Sequence, residues 1–323
     1  MKFDHLKFEI CNFTMIAWAL SGGGNRGPIQ VGAMRALFER GIRPDMLVGT
    51  SAGALNAAFL AIDPTPEANE RLAQMWLNIR PQDIFPKPRW WMILRALFAG
   101  DGMDDNKARA QNFLKYLPRG VKTFGDLKAK LYLTTADLQT GRLFLYGDNP
   151  KAKILQAALC STALPVMWDP EVIGGHQFVD GGVVANVPIS IALDKGADVI
   201  YALDLQNPGP YPIQKGVIRI AMHSISVQSY QQALHDIQRV LATEKVTLHY
   251  ISMGDLFFEV DLQDFSHTAE MMERGYQRAK DYLDHPTPNV IPNHRLGILS
   301  AGQESVPQVT PPGAVPYEPR FLM

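Results

Sequence analysis

Short apolar runs alternate along this chain with longer stretches in which apolar residues recur every three or four positions. The runs fall at 14–20 (TMIAWAL), 45–49 (DMLVG), 130–136 (KLYLTTA), 142–147 (RLFLYG), 176–180 (HQFVD), 198–205 (DVIYALDL) and 246–253 (VTLHYISM). Each is bounded by turn-forming residues, which predicts a strand. Residues 29–41 and 51–61 carry helical spacing instead. Strands alternating with helices predict an α/β fold: three layers, α/β/α, with a mostly parallel central sheet and helices on both faces. The short DLQTG link at 137–141 predicts one hairpin, hence one antiparallel pair. Val217, Ile220, Val227, Tyr230, Leu234, Ile237 and Leu241 mark a single long amphipathic helix, expected to pack against the body.

The pattern divides the chain into an N-terminal extension (1–13), an α/β domain (14–285) and a tail (286–323) that holds eight of the 23 prolines. Proline at that density removes the donors that regular structure needs. A chain of 323 residues, 46% hydrophobic and 20% charged, has the material for a large core. A net charge of −1 offers no bulk attraction to nucleic acid. Cys11 and Cys160 form neither a disulfide framework nor a zinc spacing, which points to a reduced, cytoplasmic setting. No signal-peptide core opens the chain, and no run reaches the roughly 20 apolar residues of a spanning helix. No cofactor is called for, and no metal, because no His/Asp/Glu cluster has ligand spacing.

The candidate chemistry begins at LVGTSAGALNAAF, 47–59. A strand, a sharp turn and a helix would present Ser51 on a G-x-S-x-G elbow, with Gly49 and Gly53 small enough for strand and helix to close around it. Upstream, ALSGGGNRGPIQ (19–30) is another strand-to-helix junction. Gly22, Gly24 and Gly27 satisfy G-x-G-x-x-G, so a nucleotide-binding regulatory module is one reading. Such a site wants an acid at the end of the second strand, whereas Asp45 begins that strand. In the other reading the amides of Gly22, Gly23 and Gly24 form an oxyanion hole. Arg26 would add charge to it or brace it from outside.

A serine needs a base. Eight histidines are present, and none sits in a glycine-flanked loop after a strand. Asp180 does, in GGHQFVDGGVVANVP (174–188), with His176 as the alternative base. A partly apolar pocket would raise an aspartate's pKa into a useful range.

SGGGNRG (21–27), GTSAG (49–53) and DGG (180–182) resemble, in order, the signature blocks of the patatin-like phospholipases. The likeness covers roughly 14–205 well, 206–285 loosely and the tail not at all. It implies a metal-independent acyl hydrolase using a Ser51–Asp180 dyad, with Gly22, Gly23, Gly24 and Arg26 stabilising the anion and no histidine in the relay. Asn25 departs from the small residue many relatives carry. The implied substrate is a lipid ester of the phospholipase A or lysophospholipase type, met at a membrane surface to which the protein is peripheral. Non-lipid carboxylesterase or thioesterase activity is the alternative. PKPRWWMILRALFAG (86–100) is the most lipid-like stretch; Trp90, Trp91, Leu94, Leu97 and Phe98 would form an acyl pocket or lid, or simply pack in the core.

Overall fold

Alternate residues of strand β1 (Ile16–Leu20) face two different cores. Trp18 and Leu20 join one cluster, Ala17 and Ala19 the other, and all four are fully buried. A strand covered on both faces has no solvent side to mark with polar residues, hence its unbroken apolar run. The computed structural model describes residues 14–292, apart from 86, 88–101, 103–105, 208, 210 and 258.

The further strands are β2 (Met46–Gly49), β3 (Lys130–Asp137), β4 (Arg142–Tyr146), β5 (Glu171–Ile173), β6 (His176–Asp180), β7 (Val199–Asp204) and β8 (Thr247–Ser252). They form one sheet in the order β5-β6-β3-β2-β1-β7-β8, with β4 pairing to β3. β3, β2, β1, β7 and β8 run parallel, while β4 and β6 are antiparallel to β3. The hairpin expected at 137–141 is the β3–β4 connection. β5 escapes the apolar pattern because it is a three-residue edge strand with Val172 exposed.

Helices α1 (Gly27–Glu39), α2 (Ala52–Ile62) and α3 (Pro66–Asn78) cover the face holding Trp18 and Leu20. A short α4 (Pro81–Ile84), α5 (Lys107–Tyr116) and α6 (Ile154–Ser161) extend that side, with Phe113 and Ile154 in the same cluster. α7 (Ile189–Asp194) and part of α8 (Val217–Leu241) cover the opposite face through Ile189, Ile237 and Val240. α9 (Thr268–Asp284) returns to pack on α1. Beyond it, Asn289 exchanges two hydrogen bonds with Leu248 on β8, at 2.7 and 2.8 Å.

One expectation is corrected. α8 forms over the predicted residues, but only its C-terminal half packs against the body. No residue from Val217 to Gln228 is buried, whereas Ser229, Ala233, Asp236, Ile237 and Val240 are. Periodicity reports which side chains share a face; it does not say whether a partner lies against that face.

Under the loop that follows β1 lies a buried polar lattice. Asn56 of α2 donates to the Gly27 carbonyl and to Gln30 Oε1, each at 3.0 Å, and accepts from Trp76 Nε1 at 2.8 Å. Gln30 donates to the carbonyls of Ser21 and Leu203, and Ser21 Oγ accepts from the Leu205 amide. Asn56 and Gln30 are fully buried, so each lost partner would leave polar atoms without water to replace it. Asn56→Leu is expected to cost about 2–4 kcal/mol, the sum of the orphaned groups. A urea midpoint equivalent to less than about 1 kcal/mol of loss would mean that the lattice does not hold these elements.

Candidate active site

Ser51 stands between the end of β2 and the start of α2 with φ 55° and ψ −122°, a backbone conformation that costs a side-chain-bearing residue energy. The turn is tight enough to dictate its neighbours. A Cβ on Gly53 would lie 2.2 Å from the Leu20 carbonyl oxygen, and one on Gly49 2.5 Å from the Gly53 carbonyl oxygen. The strain is held by hydrogen bonds from three other elements. The Ser51 amide donates to Ser161 Oγ of α6 at 3.1 Å. Thr50 Oγ1 donates to the Ala185 carbonyl at 2.8 Å and lies 2.7 Å from Thr134 Oγ1 of β3. Ser161 and Thr134 were not legible as supports; their only signal is a small hydroxyl inside an apolar run.

β3 brings the carboxylate to the elbow. It pairs with β2 as far as Leu133↔Gly49, and two residues further along it pairs with β6 at Thr135↔Asp180. The Asp180 amide donates to the Ala163 carbonyl at 2.9 Å. In the turn that follows, Asp180 Oδ1 accepts the Gly182 amide at 2.7 Å. Its Oδ2 is buried with no hydrogen-bond partner. Burial raises the carboxyl pKa to about 6, opposed by the Ser51 hydroxyl, the Gly182 amide and the positive charge of Arg109. Ser51 thus lies close enough to favour the charged carboxylate without closing a hydrogen bond in the resting geometry, a common state of unliganded sites.

Arg109 of α5 does not grip the carboxylate. Its guanidinium donates to Asn106 Oδ1, the Leu159 carbonyl and Thr162 Oγ1, and lies 4.6 Å from the Trp168 ring centroid. Burial pulls its pKa down to about 10.

The glycine loop closes the third side. Gly24, at φ 61°, starts a 3₁₀ turn that runs into α1, with Pro28 in the first helical turn. Gly22, expected among the anion donors, instead donates its amide to the Asn186 carbonyl at 3.2 Å. The amides of Gly23 and Gly24 have no acceptor among the described residues. Arg26 braces the loop: its Nε donates to the Gly23 carbonyl and a terminal nitrogen to the Gly254 carbonyl, both at 3.3 Å. Burial lowers its pKa, while the charge of Asp204 holds it up. Asn25 donates to the carbonyls of Asp261 and Asp264 at 2.8 and 2.6 Å, and both Asn25 and Arg26 line the same cavity as Ser51 and Asp180.

Gly22, Gly23, Gly24, Ser51 and Asp180 line one cavity of about 750 Å³. Leu55 and Phe59 of α2, Met75 and Trp76 of α3, and Phe113 of α5 form an apolar wall; Tyr211, Met222 and Ile225 lie on the other side. Asn186 also lines it, a residue that the sequence offered only as part of the stretch after Asp180. Among the described residues no histidine lines the cavity. His176 pairs with Asp137 at 2.8 Å instead. Asp45, the acid nearest the spacing of a ribose site, accepts the Ile16 amide at 2.9 Å, at the far end of its strand. Trp90, Trp91, Leu94, Leu97 and Phe98 lie outside the described residues.

A family model described as patatin-like phospholipase matches residues 19–193, a span that includes the glycine loop, the elbow and Asp180. Patatin-like phospholipase domain-containing protein 7 of Rattus norvegicus is 29% identical over 191 residues, 59% of this chain and 13% of that protein. Patatin-like phospholipase domain-containing protein 6 of Homo sapiens is 27% identical over 191 residues, with the same coverage. The match therefore spans about an eighth of the length of these curated relatives, 13% in each. YqhO of Bacillus subtilis is 32% identical over 190 residues, 52% of this chain and 64% of that protein. Among solved structures, VipD from Legionella pneumophila superposes with a TM-score of 0.47 at 19% identity, covering 84% of this chain and 67% of VipD.

The backbone at Ser51 makes a prediction independent of activity. Glycine adopts that conformation without strain, so Ser51→Gly should be more stable than Ser51→Ala by about 1 kcal/mol, net of glycine's extra unfolded-state entropy. Equal urea midpoints for the two variants would show that the elbow is unstrained.

Proposed function

The chain belongs to the patatin-like phospholipase family, and from that premise we propose that it hydrolyses carboxylic esters of lipids with Ser51 as nucleophile and Asp180 as base. The observation that carries this reading is a strained serine and a carboxylate held near pH 6 lining the same apolar cavity. Ser51 Oγ attacks the ester carbonyl carbon while its proton passes to Asp180. The negative charge that develops on the carbonyl oxygen accepts hydrogen bonds from the amides of Gly23 and Gly24, which have no other acceptor among the described residues. Collapse expels the alcohol, which takes the proton back from Asp180, and leaves an acyl-serine. Water, losing its proton to Asp180, then attacks the acyl carbon; the acid departs and the serine regains its proton.

An aspartate at its ordinary pKa of about 3.9 is too weak a base for this work, and one raised to about 6 is stronger while still ionised at neutral pH. The apolar wall of the cavity suits an acyl chain better than a small polar acid. No metal or nucleotide enters the scheme.

Two tests follow. Fluorophosphonate should label the protein and fail to label Ser51→Ala, while Asp180→Asn should lower kcat on a soluble short-chain ester by about 100-fold or more. Turnover retained in Asp180→Asn would assign the base elsewhere. In the wild type kcat/KM should rise with pH through a midpoint near 6, since the charged carboxylate is the active form. The stability sign runs opposite to a salt-bridged aspartate. The folded state holds this proton more tightly than the unfolded chain, so stability falls as pH rises from about 4 to 6 and the cost persists above that. Asp180→Asn should therefore be more stable than wild type at pH 8, by about 1–3 kcal/mol, and lose that advantage near pH 4.

A further inference from the structure

The N-terminal half of α8 has an apolar side that the fold leaves uncovered. At about 100° per residue, Met222, Ile225 and Ser226 continue the stripe that is buried at Ser229 and Ala233, and these three line the cavity. Val217, Ile220 and Val227 fall on the opposite side, 84%, 51% and 47% exposed. The loop leading in adds Ile213, 86% exposed, and Tyr211, which packs on His223 of the helix at 4.4 Å between ring centroids. Six of the 13 exposed large apolar residues among those described fall between Tyr211 and Val227. Where the Gln206 side chain bonds Ser229 Oγ at 2.9 Å, burial of the helix begins.

The charge of the segment is equally one-sided. From Leu205 to His235 the sequence has no aspartate or glutamate, in a chain with 32 of them, while Lys215 and Arg219 are exposed within the apolar stretch. Glu259, from a neighbouring loop, also lines the cavity. No helix among the described residues is long and apolar enough to cross a membrane. A segment with Met222 and Ile225 over the cavity, Val217, Ile220 and Val227 toward solvent, and cations without acids from 205 to 235 suits a surface that is apolar inside and anionic outside.

We propose that residues 211–227, a segment that also borders the cavity, are the surface by which this protein seats on an anionic lipid–water interface. The proposal rests on the lipid-ester reading for its purpose, but not for its test. A second copy of the chain covering the same face would make a different use of it, and the experiment separates the two.

Flotation of the full chain with phosphatidylcholine vesicles, with and without phosphatidylglycerol, reads the binding directly. The wild type should bind vesicles containing phosphatidylglycerol. Ile213→Asp with Val217→Asp should weaken that binding about tenfold or more, and Lys215→Gln with Arg219→Gln should remove the preference for phosphatidylglycerol. Val172→Asp, on the exposed edge strand β5, should bind as wild type does. The Ile213/Val217 variant should keep turnover of a soluble short-chain ester within about twofold of wild type, since neither side chain lines the cavity. Unaltered vesicle binding in that variant would overturn the proposal. So would a wild type that ignores vesicles and forms a dimer, by light scattering, which the same variant dissociates. Vesicle binding that depends on these residues in a protein inert toward every ester would leave the docking surface standing and remove the hydrolase reading.

Discussion

A carboxyl group buried with only one of its two oxygens hydrogen-bonded sets the terms for everything around it. Asp180 is 1% exposed, with one oxygen bonded to the Gly182 amide and the other without a hydrogen-bond partner. Loss of hydration pushes its pKa up, and the surroundings return only part of what water would have supplied. Arg109 illustrates the balance. A guanidinium bonded directly to this carboxylate would hold the pKa well below its ordinary value and leave a feeble base. Arg109 is instead committed to Asn106, Leu159 and Thr162 and stacked on Trp168, so it reaches Asp180 through its field alone.

Strain at Ser51 is the second cost, and one strand offsets both. β3 pairs with the elbow strand and then, two residues on, with the aspartate strand. The pairing register therefore sets the separation of the two groups along β3, at about 3.3 Å per residue. Thr134 sits between those two pairings and meets Thr50 at 2.7 Å, tying the elbow to the same strand. On the other side the lattice of Asn56, Gln30 and Ser21 holds the glycine loop to α2, α3 and β7. Each costly local conformation is thus fixed by contacts from elements remote in sequence.

The parts of this arrangement that were legible in the sequence are those with a local physical signature. Parallel strands show as unbroken apolar runs because both faces are covered. The elbow shows as Gly49-x-Ser51-x-Gly53 because any side chain at the glycines would collide with backbone. Asp180 stood out through the glycines after it. What stayed hidden was relational. Nothing near Gly22 announces that its amide belongs to Asn186, 164 residues away (186 − 22). Nothing in GNRG says that Arg26 bonds the carbonyls of Gly23 and Gly254, or Asn25 those of Asp261 and Asp264. The uncovered half of α8 was hidden for the same reason, since an apolar stripe reads alike whether protein, lipid or a second molecule lies against it.

The two sides of the cavity are held very differently, and that contrast has a consequence for the proposed chemistry. Leu55, Phe59 and Trp76 belong to the large core cluster or pack directly on it, and Trp76 is locked further by its bond to Asn56. That wall shares the rigidity of the elbow, so an acyl chain lying along it would be positioned by the same contacts that position Ser51. Tyr211, Met222 and Ile225 stand on a segment in which no residue from Val217 to Gln228 is buried. Few buried contacts mean a low local cost of displacement. On the proposed reading, Ser51, Asp180 and the apolar wall stay fixed while the side carrying Met222 and Ile225 adjusts, which is the division a site needs if its substrate enters from an extended surface rather than from solution.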